Sequence, residues 1–345
     1  MNLPLLLCRR TLLRVGAAST LGAVGLTRAQ DLTRVRFTLD WRVDGPGAIV
    51  LLAQAKGYFA QEGLDVVIDA GNGSAAAVQR LASGTHDVGF ADTSALVEFQ
   101  SANPTAPRLQ GIYMLMERIP ATVFALKSSG IATPADLRGK KLAAPVFDAG
   151  RKAWPLFARA NGLDPAAVTW TNVDPALRET LLIKGDADAI TSFYYTGLLT
   201  LEARGVKPEE LVTFRYADHG VNLYGNAVVV TAAFAAAHPQ AVRGFLRALN
   251  RGIKDCIADP KAATRYVKLR EPVVDIAVEE RRLRHFLDHF VATPSVRAAG
   301  LGGVDEARLR SNLAQVVESL ALKQAVDAGQ LFSNAYLPPL AERKL

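Results

Sequence analysis

Hydrophobic and polar positions repeat with two periods along this chain, and the two periods take turns. Val35-Arg36-Phe37-Thr38-Leu39 alternates at every second residue, the spacing of a strand with one buried face. Residues 47–60 then carry Ile49, Leu52 and Ala53 on one helical face, with Gly63 soon after. Val66-Val67-Ile68 reads as the next strand and Gly71-Asn72-Gly73 as a turn. Ser74 reads as the cap of a helix that buries Ala77, Val78, Leu81 and Ala82 and stops at Gly84. Val88-Gly89-Phe90 is a short buried strand, and Asp92-Thr93-Ser94 offers caps for a further helix. This order predicts an α/β fold, a mostly parallel sheet covered by helices.

The plan starts again past residue 130. Thr133-Pro134 opens a short helix with Pro at its first position, ended by Gly139. Residues 141–146 read as a strand, 176–184 as a helix stopped by Gly185, and Ala189-Ile190-Thr191 as a strand. RLASGTHDVGF (80–90) and TLLIKGDADAI (180–190) share one layout: a helix end, a glycine, two residues, an aspartate, then a small and apolar strand. Gly84 matches Gly185 and Asp87 matches Asp188. Helix, glycine, turn and strand can recur by chance; two lobes built on one plan is the sharper expectation. From residue 232 the pattern is mainly helical, with His238-Pro239 opening one helix and amphipathic stretches at 276–291 and 304–325.

The first residues change the picture of where the chain works. Arg9, Arg10 and Arg14 precede a short uncharged run, VGAASTLGAVGL (15–26), and Thr27-Arg28-Ala29 places small residues before Gln30. That is the layout of a cleavable export signal over residues 1–29. The paired arginines fit a twin-arginine leader, or a general secretory leader that happens to hold two arginines. The run is too short to span a membrane, and Cys8 precedes it, which is wrong for a lipidated cysteine. Losing Arg9, Arg10, Arg14 and Arg28 lowers the formal charge from +7 to +3. With no basic stripe carrying interleaved aromatics, nucleic acid is not an expected partner. Cys256 is the one cysteine left, which excludes an intrachain disulfide and a cysteine-based zinc cluster. About 315 residues remain, half of them apolar, enough for two ordinary domains.

Four stretches carry a family resemblance: LDW (39–41), AQAKGYFAQEGLDV (53–66), GNGSAAAVQRLASGTHDVGFAD (71–92) and PADLRGKKLAAP (134–145). Together they resemble the substrate-binding proteins of ABC importers. The branch is that of the thiamine-pyrimidine-precursor binders and their sulfonate, taurine and nitrate relatives. The resemblance implies a two-lobed, type II-like periplasmic binding protein. Each lobe would hold a mostly parallel sheet flanked by helices, and the lobes would be joined by two crossover hinges. Lobe one would comprise 34–118 plus 222–345 and lobe two 119–221, with hinges near 118–122 and 218–223. A ligand would lie between them at the carboxyl ends of the strands, enclosed by hinge motion.

On that resemblance, the ligand contacts fall on the turns that follow strands. Trp41 offers a flat apolar face for stacking and Asp40 an acceptor for an amino group; otherwise Trp41 is core and Asp40 a turn cap. Gly73 and Ser74 open a helix whose free N–H groups favour an anionic ligand group, with Ser74 capping in either case. Asp92 and Thr93 stand at an equivalent turn, and either is also a plain cap. Phe147, Asp148 and Gly150 follow the 141–146 strand. Tyr194 and Tyr195 end another, and alternation sends them to opposite faces. Tyr224 and Asn226 lie at the second crossover. Aspartates at 40, 92, 148 and 218 near cleft turns favour a ligand with amino or cationic groups over a sulfonate or nitrate.

Motifs of chemistry are missing: there is no G-x-S-x-G, H-E-x-x-H or G-x-x-x-x-G-K-[ST]. His285 and His289 share a helix face at i, i+4 without a third ligand in pattern, so they read as surface or packing residues. A related family makes the thiamine pyrimidine from a protein histidine and a bound vitamin B6 cofactor, and carries a cysteine-rich iron motif that this chain lacks. The expectation is therefore a periplasmic binder with no catalytic residue, metal or cofactor. It would deliver a thiamine pyrimidine precursor or similar aminopyrimidine to the membrane permease of an ABC importer, and act as a monomer. Binding of sulfonate, taurine or nitrate is the alternative. A pyrimidine-precursor synthase or a ligand sensor for a membrane receptor are the alternatives of another class.

Overall fold

A computed structural model describes residues 32–324 and 326–345. The expected leader, its twin-arginine pair, its cleavage point and Cys8 lie outside the described residues. Ten strands occur in chain order: β1 (Thr33–Thr38), β2 (Leu64–Asp69), β3 (Val88–Asp92), β4 (Leu109–Met114), β5 (Ala121–Leu126), β6 (Lys141–Ala143), β7 (Thr169–Thr171), β8 (Ala189–Phe193), β9 (Leu211–Arg215) and β10 (Asn226–Thr231). They form two five-stranded sheets, ordered β2-β1-β3-β10-β4 and β7-β6-β8-β5-β9. The two orders are one plan. In each, three neighbours run parallel, and the fourth strand is antiparallel to both sides. Both sheets are thus mixed. The reversed strand is β5, which enters the second sheet, or β10, which returns to the first.

The two short stretches matched in the sequence sit at equivalent places. Gly84 and Gly185 take left-handed φ of 72° and 76°, ending their helices where a side chain would be strained. Asp87 then accepts from the Arg36 backbone N–H at 2.9 Å, and Asp188 from the Lys141 N–H at 2.7 Å. Each aspartate stitches its strand to the neighbouring parallel strand, β1 or β6.

Some local expectations are redrawn. The apolar pattern of 47–60 makes two helices, Ala48–Ala55 and Tyr58–Gln61, with Gly57 in a left-handed conformation between them. Ser74 is the first residue of its helix and Gly73 occupies the cap position. Residues 144–146 leave the strand, so β6 is three residues long. The 276–291 stretch is an α-helix to Phe286 that widens into a π-helical turn, Leu287–Val291.

Segments 115–120 and 219–225 join the sheets side by side, with the Ile119 N–H bonded to the Leu223 carbonyl at 2.9 Å and Gly225 to Met116 at 3.0 Å. One apolar cluster runs from Val78 and Leu96 through Ile119, Val221 and Leu223 to Trp154 and Phe157, so the connection is packed core and not a free linker. No helix among the described residues is long and apolar enough to cross a membrane.

Candidate functional site

Between the two sheets, at the ends where β1, β3 and β8 terminate, lies a cavity partly open to solvent. Its walls come from strand ends and the turns after them, where side chains are released from sheet pairing but held by a rigid frame. The turn at 71–73 is tied to the end of β1: the Gly71 N–H bonds to the Trp41 carbonyl at 2.8 Å and the Gly73 N–H to the Asp40 carbonyl at 2.6 Å. This sets Asp40, Trp41, Gly73 and Ser74 along one wall. Gly73 has φ +109°, and a Cβ built there would lie 3.4 Å from the Phe147 ring on the opposite lobe. Phe147 therefore closes over Gly73.

Nine of the thirteen residues singled out in the sequence line this cavity: Asp40, Trp41, Gly73, Ser74, Asp92, Phe147, Asp148, Tyr195 and Asn226. The other four are placed elsewhere. Thr93 is buried, its hydroxyl aimed at the Tyr224 carbonyl 3.4 Å away. Tyr224 packs beneath the Arg308 guanidinium and accepts from the Asp305 N–H at 3.0 Å. The Gly150 carbonyl accepts from the Tyr216 hydroxyl at 2.9 Å, and the room that glycine leaves is filled by Thr191. Tyr194 meets His285 and His289 edge to face, at 5.5 and 5.4 Å between centroids. Strand alternation is not what separates Tyr194 from Tyr195: both belong to the first turn of the helix Tyr194–Ala203.

The floor is acidic. Asp40 accepts from the Asn226 amide at 2.5 Å. Burial pushes its carboxyl up from the ordinary range, against the pull of that amide and of the Ser74 hydroxyl. Asp92 caps the next helix, accepting from the Ser94 N–H at 2.8 Å, and burial pushes it up to about 6. Asp44 is pushed up to about 8 by burial, with Arg282 opposing. Asp148 is also raised by burial, with Arg178 and Thr191 opposing.

Two of the three cations that line the cavity are held in ion pairs. Arg178 is buried and bonds Glu179 at 2.8 Å, Ser192 at 2.7 Å and Asp148 at 3.4 Å. Lys152 is paired with Glu98 across the lobes. Arg42 leans over Trp41, 5.7 Å from the ring centroid. Most of the remaining lining is apolar, Leu39, Phe90, Leu115, Met116, Phe193 and Phe286 among it, with the hydroxyl residues Ser94, Ser192 and Thr196 between them. Of these wall residues, Asp44 and Arg178 had the least sequence signal. Asp44 precedes a Gly-Pro-Gly turn and looks like a turn residue. Arg178 begins a helix and looks solvent-facing, and only the fold buries it.

The comparisons with known proteins follow this geometry. A family described as "NMT1/THI5 like" matches residues 47–263. The riboflavin-binding protein RibY of Chloroflexus aurantiacus is 29% identical over 330 residues, 93% of this chain and 91% of its own. The 4-amino-5-hydroxymethyl-2-methylpyrimidine phosphate synthase of Aspergillus parasiticus is 26% identical over 268 residues, 74% of this chain and 76% of its own. Among solved structures, the alkanesulfonate-binding protein SsuA of Xanthomonas axonopodis pv. citri aligns with a TM-score of 0.69 at 17% identity, over 88% of this chain and 100% of its own. The periplasmic nitrate-binding protein NrtA of Synechocystis aligns at 0.68 and 13% identity, over 89% and 87%. These two likenesses give the fold, that of the periplasmic solute-binding proteins, and leave the ligand open. The family match spans well over half of the sequence: the chain belongs to the NMT1/THI5-like family.

Proposed function

We propose that this protein is the exported solute-binding component of an ABC importer and that it takes a flat nitrogen heterocycle bearing hydrogen-bond donors. One observation carries the ligand class: a largely apolar cavity whose floor gathers four acidic side chains, Asp40, Asp44, Asp92 and Asp148, while two of its three cations, Lys152 and Arg178, are already paired. Such a floor accepts N–H groups and repels a sulfonate or nitrate. Trp41 and Phe147 supply faces for a ring. The lobes would close on the ring by bending at 115–120 and 219–225, and the closed complex would be handed to a membrane permease.

Two ligand families fit a ring with donors. An aminopyrimidine, the pyrimidine precursor of thiamine among them, matches the acidic floor. A flavin is favoured by the long similarity to a riboflavin-binding protein. The synthase reading has less support, because no histidine lines the cavity to be consumed.

The test is a thermal-shift screen of the full mature chain with aminopyrimidines, riboflavin, alkanesulfonates, taurine and nitrate. Binding to the folded state alone contributes about 2.7 kcal/mol at a ligand concentration 100-fold above Kd, a rise of several degrees in melting temperature. A heterocycle should give that rise, and Trp41→Ala should remove it with little change in the ligand-free melting temperature. A shift with sulfonate or nitrate alone would overturn the ligand class. No shift with any compound would overturn the binding role.

A further inference from the structure

Two histidines that look in the sequence like surface or packing residues meet the opposite lobe. His285 stands in the last turn of the helix Ile276–Phe286, and His289 in the π-helical turn after it. That segment is anchored in the first lobe, because Leu283, Phe286 and Phe290 pack in one apolar cluster with Val35 and Phe37 of β1. The two imidazoles stack, with centroids 5.8 Å apart and planes 11° from parallel. Both rings meet Tyr194, which follows β8 in the second lobe. Arg215, at the end of β9, lies 5.3 Å from the centroid of the same tyrosine ring. Two imidazoles from one lobe, with a phenol and a guanidinium from the other, thus form a seam. Their chain neighbours Phe286 and Tyr195 line the cavity, so the seam borders it.

The seam is built for neutral rings. Arg215 Nη1 lies 3.4 Å from His289 Nδ1. A guanidinium only donates, so that nitrogen must accept, and an imidazolium has no nitrogen that can. Protonating both rings would also stack two cations in a place already rich in them. Arg281 faces His285 from its own helix, and Arg215 from β9 and Arg118 from the first crossover face His289. The nearby carboxylates are largely spent on these arginines. Asp218 is held by Arg215 at 2.6 Å and by Arg118 at 2.5 Å, and Glu202 by Arg281 at 2.6 Å. Asp288 opposes from the exposed side of the π-helical turn. Burial first, and then these arginines, hold both imidazoles below the ordinary 6.5.

We infer that His285 and His289 make the contact between the lobes an acid-sensitive latch, fastened while both rings are neutral and loosened when they take up protons. Parting the lobes returns the rings to water, where they bind protons at the ordinary value. The parted form therefore holds more protons than the fastened one. The fastened form keeps its full advantage above about pH 6.5 and loses it as the pH falls below that value. A solute held between the lobes would be let go more readily in acid. The latch goes beyond the binding role proposed above, and it can be tested without any ligand.

The experiment follows the full mature chain, ligand-free, from pH 7.5 to pH 5 by two readouts. X-ray scattering gives the radius of gyration, and NMR of the imidazole C–H groups gives the midpoints of the two histidines. The wild type should expand on acidification, with both histidine midpoints below 6.5. In 1 M salt, where the Debye length is about 3 Å, the expansion should shrink. The double variant His285→Gln, His289→Gln should lose most of it. Arg281→Gln is the second variant, at an exposed position where folding is not at stake. It removes one facing cation and leaves Glu202 opposite His285, so the His285 midpoint should rise and the expansion should diminish. A role in packing alone would move neither the midpoint nor the pH profile. A wild type of one size at both pH values, a double variant that expands as fully as the wild type, midpoints at or above 6.5, or an Arg281→Gln variant with an unmoved His285 midpoint would each overturn the latch. None of these outcomes touches the binding role, which the thermal-shift screen decides separately.

Discussion

Asp44 is a side chain whose environment changes its chemistry. In an unfolded chain its carboxyl has the ordinary value of 3.8, and in the folded one burial carries it to about 8. The folded state therefore holds a proton that the unfolded state gives up between those two values. Its contribution to stability is complete below about pH 4 and is lost as the pH rises through about 8. Melting temperature measured by calorimetry should fall from pH 5 to pH 8.5, and Asp44→Asn, neutral throughout, should flatten that slope. The sequence could not announce this. Asp44 stands in RVDGPG as an ordinary turn aspartate, and its burial depends on Glu279 and Arg282, more than 230 residues away, reaching the same loop. Trp41 and Asp40 were easier to read, because they end a strand whose period was plain.

At the scale of elements, the pair of matched turns is the most instructive. The sequence exposes a glycine and an aspartate at equal spacing in 80–90 and 180–190, and in the structure both aspartates bind the backbone of the neighbouring parallel strand. Their loads differ. Asp188 accepts one backbone bond, while Asp87 also takes the Arg36 side chain, at 3.0 and 2.6 Å. Asp188→Ala should cost about 1 kcal/mol, the usual net worth of a hydrogen bond, in urea denaturation. Asp87→Ala should cost more, though the exposed part of the Arg36 pair adds little. Strands and helices with strong periods were legible down to a residue or two. What the period could not show was direction. β5 and β10 are mostly apolar and buried on both faces, and such a strand carries no mark of whether its neighbours run with it or against it. The four candidate residues outside the cavity fail for a related reason: a polar or small residue at a turn looks the same whether it faces a ligand or a neighbouring helix.

For the whole molecule, the question is what holds the lobes together across the cleft. Lys152 meets Glu98, Arg281 meets Glu202 at 2.6 Å, and Arg159 meets Glu318 at 3.1 Å, all between the lobes and mostly near solvent. Pairs of this kind are worth roughly 0–1 kcal/mol each, so they add little to the packed core that both lobes share. Glu98→Lys sets like charges across the mouth beside Lys152. It should weaken every ligand by a similar small factor, leave their rank order alone, and enlarge the ligand-free radius of gyration in X-ray scattering. A changed rank order would mean that Glu98 acts on the site itself.

The strand order has a consequence for how the chain is made. β4 pairs only with β10 among the strands of its sheet, and some 110 residues separate them. In that interval the whole second sheet, from β5 to β9, is synthesised. The lobe begun later can be completed first, while β3 and β4 wait with open edges for a strand not yet made. Long-range pairing of this kind is slow and exposes apolar edges. During synthesis, the half of the molecule that begins at the amino terminus is the half in need of protection, and its last strand arrives only after the other half is whole.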